Sequence, residues 1–461
     1  MRVVEPGSHL KMDKQIKFLI WLYVVLLLFE GALRKWVMPS LSDPLLIARD
    51  PVALGIYALA LMSGRFPMNG FIVATGVLAF CSTVASLFVT NTNALVVAYG
   101  LRINYGHVPL IWIIPQVLNR KDVERIGSFI LLVAIPMTVL MMMQFRSPMN
   151  AWINRGIGSD EGGQIYGAMG RIRPPGFFSF ITGPQLFFPL AAAFFLNQAS
   201  GHRRLWWPLL IGCGLAILIA LPVSISRTAM LATAIVGLAF ILSMSRAGIR
   251  SGAHLKAGIA LGAVAIAVSY LPIFGEASTV FQARWETAAV STQGDAWGGI
   301  IGRIVGGFTQ PLHWASVAPF FGNGIGVGSN VGARLLSGRV GFLLAEDEWG
   351  KIFLELGPVL GGAFILFRLS IVAHLGLKAL GALFQNRDNL PLLIFSACAI
   401  PIALNQWAPP TILGFAVLGG GLLLASLNDE DDDEEEEAEN ENESTEVEPV
   451  AAAPVPWRER Y

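Results

Sequence analysis

Residues 14–29 read Lys-Gln-Ile-Lys-Phe-Leu-Ile-Trp-Leu-Tyr-Val-Val-Leu-Leu-Leu-Phe. Two lysines lead into an unbroken apolar run from Phe18 to Phe29. A secretory signal opens in this way, but no small-residue cleavage site follows. Glu30, Arg34 and Lys35 come instead, so the stretch reads as an uncleaved first membrane span. Met1–Lys11 ahead of it is polar, and Met12 is an alternative start.

The pattern recurs along the chain. A spanning helix needs about 20 mostly apolar residues. Candidate spans are 16–34, 44–63, 69–90, 94–117, 125–145, 182–198, 205–223, 228–245, 256–273, 349–373, 389–406 and 409–427. Twelve spans predict an all-α, polytopic transmembrane bundle with both termini on one side and a long outer-face loop between spans nine and ten. Residues 1–15 form a cytoplasmic lead-in, 16–427 the membrane domain, and 428–461 an acidic tail. Composition agrees: 54% of the 461 residues are hydrophobic and only 14% charged, with a mean hydropathy of +0.60. Soluble domains carry about 25% charged residues.

Formal net charge is zero, yet 429–448 is almost all Asp, Glu and Asn, so the remainder is basic. Such a tail reads as solvated, either solubilising or partner-docking. With the N-terminus cytoplasmic, the inner loops hold Arg65; Arg120, Lys121 and Arg125; His202, Arg203 and Arg204; Arg246, Arg250 and Lys256; and Lys378 and Arg387. The positive-inside rule supports that orientation. Two long outer segments, 146–181 and 274–348, hold arginines outside; long loops escape the rule. The second is rich in aromatics (Phe281, Trp285, Trp297, Phe308, Trp314, Phe320 and Phe321), which predicts short helices at the membrane surface.

Cys81, Cys213 and Cys398 are scattered in apolar runs, without zinc or redox spacing. There is no Walker loop, dinucleotide fingerprint, His-Glu-x-x-His or nucleophile elbow, and the six histidines are scattered. Neither a cofactor nor a metal is expected, and no nucleic-acid partner.

Four motifs carry candidate chemistry. Ser224-Ile225-Ser226-Arg227-Thr228 lies at the outer junction of spans seven and eight. Arg227 is either a snorkelling helix-end residue or a guanidinium aimed at an anionic group, with the serines as added donors. Arg171-Ile172-Arg173-Pro174-Pro175-Gly176 leads through Ser179 into span six. It is either a solvated basic loop or a rigid holder for a pyrophosphate. Gly322-Asn323-Gly324-Ile325-Gly326-Val327-Gly328 permits close backbone approach, and N–H nests of this kind bind anions. Glu346-Asp347-Glu348-Trp349-Gly350-Lys351, with Glu355 and Gly357 beyond, opens span ten. The acids suit a helix start, and Asp347 and Glu355 each lie four residues from Lys351; alternatively one carboxylate is a general base toward a hydroxyl. A weaker fifth site is Arg102 with Asn104 and His107 in span four, its partner being Glu30 or Asp50.

Taken in order, the four motifs resemble those of the O-antigen ligase and O-antigen polymerase superfamily. The likeness covers roughly 165–375 by motif and the whole chain by topology. It implies transfer of a glycan from an undecaprenyl-pyrophosphate carrier to an acceptor glycan or lipid hydroxyl, at the periplasmic face of a bacterial inner membrane. It implies that Arg171 or Arg173 and Arg227 bind the pyrophosphate without a metal. Ligases of that family usually carry a His-Asn pair where this chain has Glu346-Asp347. Glu346 is then the expected base, with Asp347 and Glu348 as rivals, and a polymerase or a ligase for another acceptor stays open. Two other classes remain: a secondary transporter or flippase for an anionic solute, which calls for broken helices and midplane polar sites, and a non-catalytic assembly scaffold recruiting partners through its acidic tail.

Overall fold

Apolar runs of span length fold into helices, because backbone groups among lipid tails must bond within their own segment. The computed structural model describes residues 6–89, 93–157, 166–201, 204–244, 272–291, 311, 313–338, 341 and 343–428. It is mostly helical, without strands among these residues. The expected ninth span, 256–273, lies outside them except for its last two residues, as does the tail beyond Asn428.

The principal helices are α1 (Pro6–Ala32), α2 (Arg49–Met62), α3 (Gly70–Leu87), α4 (Ala94–Leu101), α5 (Arg120–Arg146), α6 (Thr182–Ala199), α7 (Trp207–Val223), α8 (Arg227–Met244), α9 (Pro272–Ser291), α10 (Asn330–Ser337), α11 (Glu348–Gly381), α12 (Leu390–Ala403) and α13 (Pro410–Ala425). Among the described residues six stretches are long and apolar enough to cross a membrane: Lys11–Val37, Pro39–Met62, Gly70–Leu87, Arg120–Arg146, Arg227–Met244 and Glu348–Asn386. Helices α7, α12 and α13 are apolar but shorter. The outward faces of α2 and α3 expose Leu54, Leu61, Val73, Val77 and Phe80. Such contiguous apolar surface suits a lipid environment.

Helix α13 runs through the centre, buried from Ile412 to Ala425. Its glycines admit neighbours: a Cβ on Gly419 would lie 2.5 Å from Cys398 Cβ, and one on Gly421 2.6 Å from Ile114 Cδ1. Helix starts are set by asparagine caps. Asn69, Asn93 and Asn119 accept from backbone N–H groups of the first turns of α3, α4 and α5. Asn119→Ala is expected to destabilise the protein by about 1 kcal/mol, seen as a small drop in the melting temperature of the detergent-solubilised protein.

The connections gather at two ends. At one, Arg65 meets Asp13, Lys17 meets Asp122, Arg120 meets Asp388, Arg204 meets Glu124, and Asn428 bonds Pro115 O and Leu118 O. At the other, Lys35 meets Gly176, Trp36 meets Trp152, Arg171 meets Glu276, Arg334 meets Asp43, and Gln406 meets Glu346. All four candidate motifs sit at this second end. The long segment before α11 contains α9 and α10 at the same end.

The fourth expected span departs from the reading of 94–117 as one helix. Helix α4 stops at Leu101, a π-helical turn covers Arg102–Gly106, and a short helix resumes at Leu110. Pro109 lacks the N–H that would continue the ladder. Helix α11 also bends: Gly357 adopts φ 79° and ψ 174° ahead of Pro358.

Candidate functional site

The Arg171 motif is built as a tight turn. Tyr166 bridges Ile172, and the Gly167 N–H donates to Arg171 O at 2.8 Å across the positive φ of Met169 and Gly170. Pro174 and Pro175 then stiffen the chain up to Gly176. That glycine is buried at φ 60°; its N–H donates to Gln144 Oε1 at 2.9 Å and its carbonyl accepts from Lys35 Nζ at 2.7 Å. A Cβ there would lie 2.2 Å from Met137 Sδ. The loop is thus fixed to α5 and to the end of α1.

Ser224-Ile225-Ser226 docks on this loop. Ile225 is fully buried at φ 48°, and a Cβ on Gly167 would lie 2.6 Å from Ile225 Cδ1 and 3.4 Å from Arg173 Cγ. Gln185 Nε2, in α6, donates to Ser226 Oγ at 3.0 Å. The two arginine motifs, about fifty residues apart in sequence, are therefore in contact through Ile225 and Gly167. The serines, expected as extra donors, serve the turn. Ser224 Oγ donates to Leu221 O at 2.7 Å and accepts from the Ser226 N–H; Ser226 Oγ accepts from the Ala229 N–H, capping α8.

The Gly-rich segment is filled by the protein itself. Pro358 cannot donate to Leu354 O, so that carbonyl accepts from the Asn323 N–H at 2.8 Å and from Asn323 Nδ2 at 2.9 Å. The Gly324 N–H donates to Glu355 O, the Ile325 N–H to Ser86 Oγ, and the Gly328 N–H to Glu355 Oε1 at 2.7 Å. The Gly326 N–H also faces the Glu355 carboxylate. The N–H groups of the expected nest are taken up by the Glu355 side chain. Gly324 and Gly326 hold this structure together, and close packing explains the glycines: a Cβ on Gly322 would lie 2.2 Å from Glu355 O, and one on Gly357 2.0 Å from Phe320 O.

The three acids before α11 have separate fates. Asp347 caps the helix, accepting from the Gly350 N–H at 2.7 Å. Glu348, not Asp347 or Glu355, pairs with Lys351, at 2.6 Å; it also takes Arg368 Nη1 at 2.6 Å, all three side chains being buried. Arg368 completes its bonding on Ile402 O and Asn405 O, over the Trp407 ring. Of the three, Glu346 alone is exposed, and among the described residues its contact is through the backbone carbonyl, which accepts from Gln406. Helix α12 packs against both α8, which Arg227 opens, and α11, which Glu346 precedes.

Arg102 resolves its choice of partner: Nε bonds Asp50, with Nη2 at 3.1 Å from the other carboxylate oxygen. Asp50 also meets His107 Nε2 at 2.9 Å, His107 Nδ1 meets the Tyr23 hydroxyl at 3.1 Å, and Glu30 joins Arg34 and Arg49. Asn104 Nδ2 donates back to Gly100 O. Sequence reasoning left Arg34, Lys35, Arg49 and Arg368 unassigned. Each is a charge inside or beside an apolar run, and that signal is sufficient to single out a buried polar role. Arg171 is also engaged, by Glu276 of α9. No protein family, curated protein or solved structure matches the chain.

Proposed function

We propose that the chain is a polytopic inner-membrane glycosyltransferase that moves a saccharide from a polyprenyl diphosphate to an acceptor hydroxyl at the outer face. It would act as a surface polysaccharide polymerase or ligase, with twelve spans and both termini cytoplasmic. The observation that supports this reading is the contact of Gly167 with both Ile225 and the Arg173 stem, which docks the Ser224–Arg227 motif on the Arg171–Arg173 loop. Guanidinium groups fixed in advance stabilise the charge that grows on a departing diphosphate. Glu346, exposed at the same end, is the carboxylate left to accept the hydroxyl proton. Asp347 and Glu348 act as cap and ion-pair partner.

One observation favours a second reading. A buried ionic network on an interrupted helix, Arg102–Asp50–His107–Tyr23, is the kind of site that transporters build. One experiment separates the two. The purified protein in vesicles is given a lipid-linked saccharide and an acceptor. Arg227→Ala and Arg173→Ala are expected to lower product formation about a hundredfold or more, and Glu346→Gln comparably. If these variants turn over normally while Asp50→Asn abolishes solute uptake, the transferase reading falls and the transporter reading replaces it.

A further inference from the structure

Arg171 is held in place by more than its carboxylate partner. Nη1 donates to Phe145 O and to Arg146 O, each at 3.3 Å, and the guanidinium lies over the Phe145 ring at 5.3 Å. These contacts orient the fork independently of any anion. Its other nitrogen, Nη2, takes one oxygen of Glu276, while the second oxygen of Glu276 lies 4.0 Å from Arg146 Nε. Two guanidinium groups therefore share one carboxylate, oxygen by oxygen. Glu276 sits in the second turn of α9, a helix that rests on α7. All three side chains remain open to solvent: Arg171 is 33% exposed, Arg146 57% and Glu276 35%. Exposed pairs of this kind contribute little to stability and exchange readily.

We propose that Arg146 and Arg171 form a binding site for a diphosphate group, and that Glu276 is its resident internal competitor, displaced when the diphosphate arrives. This rests on the reading under Proposed function for the source of the diphosphate and adds Arg146 and Glu276 to it. The chemistry is substitution of one anion by another. A carboxylate offers one negative charge and two oxygens. A diphosphate offers more charge and more acceptor oxygens to the same two forks, and Arg binds phosphate bidentately. Carboxylate and diphosphate cannot occupy the forks together, so binding releases Glu276 and with it the tie between α9 and the 166–173 turn.

The test uses the full chain in nanodiscs and inorganic pyrophosphate as probe, with affinity read by calorimetry. A second arm uses vesicles doped with a polyprenyl diphosphate, to distinguish a membrane-borne headgroup from a free one. Glu276→Gln, which keeps the shape and removes the competing charge, is expected to bind the probe at least fivefold tighter than wild type. Arg171→Ala and Arg146→Ala are expected to bind it at least tenfold more weakly. Tightening in both arms means that the diphosphate itself is recognised. Tightening only with vesicles means that the site reads the headgroup in its bilayer. Either supports the site. Equal or weaker binding by Glu276→Gln in both arms overturns it, because the carboxylate would then be a structural tie. If Glu276→Gln loses its monodisperse elution, Glu276→Ser replaces it under the same criterion. The readout needs no glycan transfer: absent transfer with the expected binding changes sinks the proposed reaction and leaves the site standing.

Discussion

Glu348→Ala is expected to destabilise the folded protein by about 3–5 kcal/mol, among the largest losses from any single side chain described. The carboxylate is 1% exposed and lies 2.6 Å from both Lys351 Nζ and Arg368 Nη1, themselves 1% and 0% exposed. Removing it leaves two cations in an apolar setting, with Glu355 as the nearest remaining acid on the same helix. Backbone carbonyls of Ile402 and Asn405 still hold Arg368, but they do not neutralise it. Thermal melting of the detergent-solubilised protein, followed by size exclusion, measures the loss. Glu348→Gln should fall between the two, since it keeps an acceptor but no charge. A Glu348→Ala protein that melts with the wild type would mean that the ion pairs contribute nothing net.

The second large effect concerns Gly326. Its φ is 91°, where an L side chain is strained, and a Cβ would lie 2.4 Å from Val96 O and 2.9 Å from Gly100 Cα. Strain costs about 1–3 kcal/mol, and overpacking against backbone that cannot retreat adds about 1–3 kcal/mol. Gly326→Ala should therefore separate the Gly-rich segment from α4 and expose the Glu355 carboxylate that it cradles. Gly100→Ala meets the same contact from the other side, 2.6 Å from Gly326 N. The double variant should cost less than the sum of the singles, because both break one contact. Gly237→Ala in α8 is the control. A Cβ there meets nothing within 4 Å, so its melt should match or slightly exceed the wild type.

Helix positions were legible in the sequence because hydropathy and length dictate them, as α3, α5 and α8 illustrate. The interruption at 102–109 was not, since Arg102, His107 and Pro109 sit within a stretch whose mean apolarity masks them. The site was legible as motifs and not as bonding. A glycine-rich turn reads as a vacant anion nest until Glu355, some thirty residues later, is found inside it. Ser224 and Ser226 read as donors until the strained Ile225 between them shows that their hydroxyls hold a turn. Arg368 lies in an apolar run, twenty residues from the carboxylate that it neutralises, and no local periodicity connects the two. The partner of Arg102 stayed open between Glu30 and Asp50 because sequence spacing carries no depth.

The paired charges of α1, α2 and the broken helix have a consequence for how the protein is made. Asp50 finds Arg102 only after 52 further residues have been synthesised. At about 5–20 residues per second, the acid waits roughly 3–10 seconds for its partner. A charge without its partner is costly in a helix that enters lipid. The first two helices are therefore expected to linger beside the insertion machinery and to enter the lipid as a group with the broken helix. Slowing translation between codons 50 and 102 should prolong that wait and raise early degradation of the nascent chain.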